Sequence, residues 1–171
     1  MRVLILDDSE IVGGLISFVV ERQGLKTDVF SKGIDALNFL TDEEKPYPDL
    51  IITDHFLSSL NNVRKTGFMV LKALNKLGKK IPVIVLSGVS DERIVNKYLE
   101  MGVVDFISKE DYDFLDTLED KIMTVIKDLQ DERLRNQVFK AHEKLMKNNM
   151  KESKINVDDK DGFGLTEWTK K

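Results

Sequence analysis

The chain has 171 residues, enough for one ordinary domain and an appendage, and its 42% hydrophobic content supports a packed core. It has no Cys, which excludes disulfides and thiolate metal sites and suits a reducing compartment. No apolar run approaches the ~20 residues that span a bilayer, and acids cut short the apolar stretch behind Met1-Arg2, so neither a membrane span nor a signal peptide is expected and a cytoplasmic protein is.

The net charge of −4 is uneven: residues 1–130 hold sixteen Lys/Arg against twenty-two Asp/Glu, and residues 131–171 ten against eight. Strand-like and helix-like patterns alternate through the first of these parts. The first strand is predicted at 2–6. Ser9 caps a helix that Gly24 stops. A strand at 25–30 precedes a short amphipathic helix from Gly33 to Leu40, which ends before Pro46-Tyr47-Pro48. The third strand, 50–53, is followed by a helix from Thr66 to Leu77, stopped by Gly78. The fourth, 82–86, leads to a helix capped by Ser90 and ended by Gly102. The fifth, 103–107, leads to a last helix starting near Asp111. The Val, Ile, Leu and Phe content of these strands fits a buried parallel sheet. The fold class is α/β: a flavodoxin-like, doubly wound, five-stranded parallel sheet of order 2-1-3-4-5, with an extended C-terminal helix.

Such sheets bind ligands at the carboxyl ends of their strands. Asp7 and Asp8 close the first strand, and Asp54 closes the third. At an effective dielectric of about 20, two unscreened carboxylates about 4 Å apart repel by roughly 4 kcal/mol. A cation relieves that repulsion, and an oxygen-only donor set suits Mg²⁺. Ser87 and Gly88 after the fourth strand, and Lys109 after the fifth, fall on the same edge.

The acidic pair, the later Asp54, Ser87-Gly88, the aromatic Phe106 and Lys109, in this order, resemble the receiver domain of two-component response regulators over about residues 1–130. The resemblance implies that Asp54 is the phosphoacceptor, supplied by a histidine kinase or histidine phosphotransfer protein. It implies that Asp8, Asp54 and the backbone carbonyl of Phe56 bind Mg²⁺, with Asp7 assisting directly or through water. Lys109 and Ser87 would contact phosphoryl oxygens, the Phe106 rotamer would follow Ser87, and the small Gly88 would leave the phosphoryl group open to water or a phosphatase. The face made of the fourth helix, fifth strand and last helix would then change its affinity for a downstream protein. This is a signalling switch rather than an enzyme. An aspartate-nucleophile phosphatase of the same topology carries an Asp-x-Asp motif, whereas Asp7 and Asp8 are adjacent.

The chain departs from that pattern in two places. Glu110 stands where the family usually has proline, so a trans Lys109-Glu110 peptide is expected, since a non-proline cis bond costs about 3 kcal/mol. Twelve residues, His55 to Thr66, separate Asp54 from Gly67. That loop is longer than the family's and lacks its proline, and Arg64 or Lys65 is a candidate neighbour of the phosphoryl group. His55 is not expected to act as a base, because its side chain alternates away from that of Asp54.

In the last helix Leu115, Leu118, Ile122, Val125 and Leu129 form a stripe for the sheet. The stripe slips and then resumes as Leu134, Val138, Ala141 and Leu145. Residues 131–171 are read as a helical extension followed by a flexible polar tail from about 146. Three roles compete for the extension: self-association through the resumed stripe, contact with an acidic partner or nucleic acid, and a solvated helix. Residues 133–151 hold six Lys/Arg against Glu143 alone, which carries the second. Nucleic acid is not expected. A homodimer, through the extension or the face described above, is among the expected partners. A phosphorylation-independent scaffold or DNA-binding receiver is the alternative function. Val157 to Gly162 looks like part of a calcium loop, but Val157 and Trp168 would take its first and twelfth ligand positions, so calcium is rejected. Phe163, Leu165 and Trp168 are a candidate docking motif.

Overall fold

The computed structural model describes residues 1–57, 65–88 and 91–158. In chain order its elements are β1 (Arg2–Leu6), α1 (Glu10–Arg22), β2 (Lys26–Phe30), α2 (Gly33–Thr41), β3 (Leu50–Asp54), β4 (Phe56–Leu57), β5 (Lys65–Thr66), α3 (Phe68–Lys76), β6 (Val83–Ser87), α4 (Glu92–Glu100), β7 (Asp105–Ser108) and α5 (Phe114–Asp158). Five strands form one parallel sheet of order β2-β1-β3-β6-β7. This is the expected order, with β6 and β7 as its fourth and fifth strands.

Side chains alternate across the three central strands and are buried on both faces. Leu4, Leu6, Ile51, Val83 and Val85 form one core with Ala36 and Leu40 of α2, Val70, Leu71 and Leu74 of α3, and Tyr98 of α4. Val3, Ile5, Leu50, Ile52, Ile84 and Leu86 point the other way. They are buried, as are Ile16, Val19 and Val20 of α1 and Leu118, Ile122, Val125 and Ile126 of α5. The predicted sheet-packing stripe of the last helix is thus the buried face of α5, with Leu115 and Leu129 half-buried at its ends. The edge strand β2 is mostly polar and partly exposed, in keeping with its single neighbour.

Register decides what meets at the carboxyl edge. Leu6 pairs with Thr53, so Asp7 comes level with Asp54. Asp54 pairs with Leu86, and Ser87 pairs with Ser108, so Ser87 lies one step and Lys109 two steps further along the same edge. Helix ends are fixed locally. The Ser9 side chain accepts from the Val12 amide at the start of α1, and Gly24, at φ 74°, ends it in the left-handed region.

Several expectations need correction. The cap of α4 is Asp91, whose side chain accepts from the Arg93 amide, and Ser90 lies outside the described residues. Asp91 has the extended backbone an N-cap requires and its carboxylate also holds the Arg93 guanidinium. β7 starts at Asp105 rather than at Val103. The segment after Asp54 is not plain loop: Phe56 pairs with Thr66 and Leu57 with Lys65 in a small antiparallel hairpin, and Leu57 is buried in the α2–α3 core. Strands of two residues have no period that a sequence can display. The rest of that loop, including Arg64, lies outside the described residues. α5 begins at Phe114 rather than near Asp111, and it continues through 146–158. The candidate docking motif at Phe163, Leu165 and Trp168 also lies outside them.

The chain divides into two compact units, Met1–Ile126 and Lys127–Lys171. In the second, every described side chain from 131 to 148 is exposed. Among the described residues no helix is long and apolar enough to cross a membrane.

Leu4 is fully buried in the middle of β1. Leu4→Ala is expected to cost about 2–5 kcal/mol, read as a lower urea midpoint at unchanged slope.

Candidate functional site

Each acidic side chain is placed by the element that ends beside it. Asp7 follows β1, with its amide donating to the Phe30 carbonyl. Its carboxylate accepts from the Ser9 amide at 3.0 Å through Oδ1. Asp54 is the last residue of β3, and its Oδ1 accepts from the Phe56 amide at 3.1 Å. The other oxygen of each carboxylate faces Lys109, whose ammonium donates to Asp7 Oδ2 and to Asp54 Oδ2, both at 2.6 Å. Lys109 is held there by its own amide, which donates to the Ser87 carbonyl at 2.7 Å. No peptide is cis among the described residues, so Lys109-Glu110 is trans as expected, and the trans bond still delivers the ammonium to the pocket.

Asp8 sits on the exposed side, and Asp7, Asp8 and Asp54 each bring one carboxylate oxygen within 4.8 Å of the others. Three carboxylates against one ammonium leave about two negative charges. The donors are all oxygens, which is the set a hard divalent cation takes. The residues therefore fit a metal ion. The expectation that separate stretches of acid meet at one rim is met.

Burial pushes the Asp54 carboxyl above its ordinary 3.8, and the Lys109 hydrogen bond and charge only partly pull it back. Burial also works against the Lys109 ammonium, but hydrogen bonds to Asp54 and Asp7 outweigh it and leave its pKa above 10.5.

Ser87 is fully buried at the end of β6, next to the residue paired with Asp54. Gly88 is exposed, and a Cβ placed there would meet nothing within 4 Å. Phe106 is half-buried and packs against the α4 side of the core, its ring 5.6 Å from that of Tyr98. Phe56 enters the site through its amide.

His55 is only 2% exposed and turns away from the pocket. Its Nδ1 is hydrogen-bonded to the Tyr98 hydroxyl at 2.8 Å, which agrees with its exclusion as a base. Burial lowers the His55 pKa below 6.5 and raises that of the Tyr98 phenol above 10.0, so both are neutral near pH 7. Tyr98 was not legible as a neighbour of this site. In sequence it is one aromatic in a charged helix, and only the packing of α4 brings its hydroxyl to His55. Gly67, after the hairpin, is tightly constrained. A Cβ there would lie 2.9 Å from the Asp54 carbonyl oxygen, 3.1 Å from the Tyr98 hydroxyl and 3.2 Å from Thr53 Cγ2.

Comparison with known proteins bears on this geometry. The response regulator receiver domain family matches residues 3–119. A protein-glutamate methylesterase/protein-glutamine glutaminase of Treponema denticola is 35% identical over 112 residues, covering 64% of this chain and 28% of that protein. The alkaline phosphatase synthesis transcriptional regulatory protein SphR of Synechococcus elongatus is 27% identical over 116 residues, covering 63% and 42%. The chain thus spans less than half the length of these two relatives. A two-component response regulator of Oryza sativa subsp. japonica is 30% identical over 110 residues, covering 63% of this chain and 77% of that one. Among solved structures, a Francisella response regulator receiver domain aligns with a TM-score of 0.63 at 26% identity, covering 75% of this chain and 98% of that one. The signal receiver domain of a putative Luxo repressor protein from Vibrio parahaemolyticus shares the fold, with a TM-score of 0.66 at 24% identity over 78% of this chain and 95% of that one.

Two substitutions test the geometry. The contribution of the raised Asp54 pKa to folding is fully present below 3.8, where the carboxyl is protonated in both states, and is lost as pH rises through the folded-state value. With a chelator present, Asp54→Asn is therefore expected to have the higher urea midpoint at neutral pH, the gap closing as pH falls below 3.8. A wild type that is the more stable at neutral pH contradicts this. Gly67→Ala presses on a backbone carbonyl that has no room to move, so a loss of about 1–3 kcal/mol in urea unfolding is expected.

Proposed function

The chain belongs to the response regulator receiver domain family, and on that premise we propose that it is a phosphoacceptor switch in a two-component phosphorelay, with Asp54 as the acceptor. One observation carries the reading: the ammonium of Lys109 bridges Asp54 and Asp7 at 2.6 Å, with Asp8 alongside, at the carboxyl edge of the sheet.

In this reading an oxygen of Asp54 attacks the phosphorus of a phosphohistidine. The new O–P bond forms as the P–N bond breaks, and the electron pair leaves with the imidazole nitrogen of the donor, which takes up a proton. Asp8, Asp54 and the backbone carbonyl of Phe56 would hold Mg²⁺, with Asp7 assisting, and the ion would neutralise charge on the phosphoryl oxygens. Lys109 already reaches Asp54 Oδ2 and contributes a compact cation to one phosphoryl oxygen. Ser87 turns its hydroxyl to another, and the Phe106 ring follows into the space released. Open space at Gly88 leaves the acyl phosphate accessible to water or a phosphatase.

The phosphodonor is a histidine kinase or a histidine phosphotransfer protein. Ile11, Leu15 and Phe18 are 78%, 45% and 61% exposed, at spacings that put them on one face of α1. That helix starts immediately after Asp7 and Asp8, so its apolar strip adjoins the acidic rim and offers a docking surface to the donor. Output is protein contact through the face of α4, β7 and α5, or through Leu134, Val138, Ala141 and Leu145 of the extension, by homodimerisation or by binding a downstream target. The switch works in the cytoplasm, and the chain acts as a signal carrier rather than as a catalyst on an external substrate. The phosphorylation-independent alternative is not favoured, since relatives named as two-component response regulators match the chain.

Beryllofluoride with Mg²⁺ mimics the acyl phosphate. Wild type is expected to give ¹⁹F resonances of bound beryllofluoride that Asp54→Asn lacks, and size-exclusion chromatography of the two states reads any change in self-association. Equal binding by Asp54→Asn, or none by wild type, overturns the reading.

A further inference from the structure

Directly behind the phosphoacceptor lies a polar pair inside an aromatic cluster. His55 is covalently next to Asp54, and its backbone is fixed on both sides. Its amide donates to the Leu86 carbonyl at 2.8 Å, and its carbonyl accepts from the Gly67 amide at 3.0 Å. The imidazole thus stands on a rigid mount at the end of β3, hydrogen-bonded to the Tyr98 hydroxyl at 2.8 Å. The Tyr98 ring stacks on Phe68 with centroids 4.0 Å apart and planes 8° from parallel, meets the His55 ring edge-on at 5.4 Å and reaches Phe106 at 5.6 Å. Tyr98 is also the one buried residue of α4. This helix therefore rests on the sheet through a single fully buried side chain, and the tip of that side chain is tied to the residue after Asp54.

Neither partner belongs to the phosphoryl chemistry, since the Asp54 carboxylate is bonded to Lys109 and Phe56. An apolar contact slides by small steps. A hydrogen bond in a dry, aromatic setting is directional and is either made or broken. That is the property required of an element with two discrete arrangements.

We propose that the His55–Tyr98 pair is the latch that positions α4 according to the state of Asp54. The proposal rests on the phosphoacceptor reading above. Movement at the end of β3, or of Phe106 on β7, reaches Tyr98 through these contacts, and α4 follows because nothing else of it is fully buried. His55 and Tyr98 are positioning residues: they act on the output face, not on the transfer.

The test is amide hydrogen exchange over α4, with and without beryllofluoride and Mg²⁺, in wild type, Tyr98→Phe, His55→Phe and His55→Gln. In wild type the two states are expected to differ in α4 exchange by about fivefold, the scale of one net hydrogen bond. Tyr98→Phe keeps the stacked ring and loses only the hydroxyl. Its ¹⁹F signal of bound beryllofluoride is expected to match wild type while the α4 response falls to less than half. His55→Phe behaves the same, the double variant is no worse than either single one, and His55→Gln, which keeps a hydrogen-bonding group, recovers part of the response. A wild-type response in Tyr98→Phe overturns the latch. So does faster exchange spread evenly over β1, β3 and α4, which marks general loosening, and so does an α4 in wild type that ignores beryllofluoride while binding it. If wild type does not bind beryllofluoride at all, the phosphoacceptor reading and the latch fall together.

Discussion

An ammonium shared by two carboxylates organises this molecule. Lys109 sits at 2.6 Å from both Asp7 and Asp54, and each carboxylate spends its second oxygen on a backbone amide. The three groups are close because their strands are in register, and they tolerate that closeness because opposite charge and directed hydrogen bonds offset the loss of water. Asp8 lies on the open side of the cluster. The oxygen-only donor set of such a pocket fits a hard divalent cation.

The sheet serves that pocket by alignment. Parallel pairing brings strand ends 6, 54, 87 and 108 to one edge in a short stagger, and the residues that follow or complete those ends are the ones with chemistry. The core between the sheet and α2, α3 and α4 is aliphatic apart from Tyr98 and the phenylalanines packed around it. Where the chain turns back after Asp54 it is crowded. Gly67 passes within contact of the Asp54 carbonyl, and a short hairpin closes the turn.

Behind the pocket lies a buried polar pair. His55 and Tyr98 satisfy each other among Phe56, Phe68 and Phe106. A buried polar pair contributes little net stability relative to a well-packed apolar one, but it specifies a single arrangement. Here that arrangement sets where α4 lies against the sheet. Two sets of exposed apolar residues stand at helical spacing, Ile11, Leu15 and Phe18 on α1 and Leu134, Val138 and Leu145 on the extension. Grouping at helical spacing distinguishes surfaces suited to partners from scattered exposure.

The sequence alone determined the parallel α/β order, and it placed Asp7, Asp8, Asp54, Ser87, Gly88 and Lys109 at the carboxyl ends of the strands. These are local signals: apolar runs of strand length, glycine stops, and charged residues at strand ends, all of which the chain carries in its linear pattern. It also excluded His55 as a base by simple alternation. It did not determine the Asp91 cap, because Ser90 offers a cap of the same chemistry one residue earlier, and it did not show the two-residue hairpin, which is too short to have a period. The constraint on Gly67 and the union of His55 with Tyr98 were decided by tertiary structure alone. Forty-three positions separate those two side chains, and only the packing of α4 on the sheet brings a hydroxyl to an imidazole across that distance.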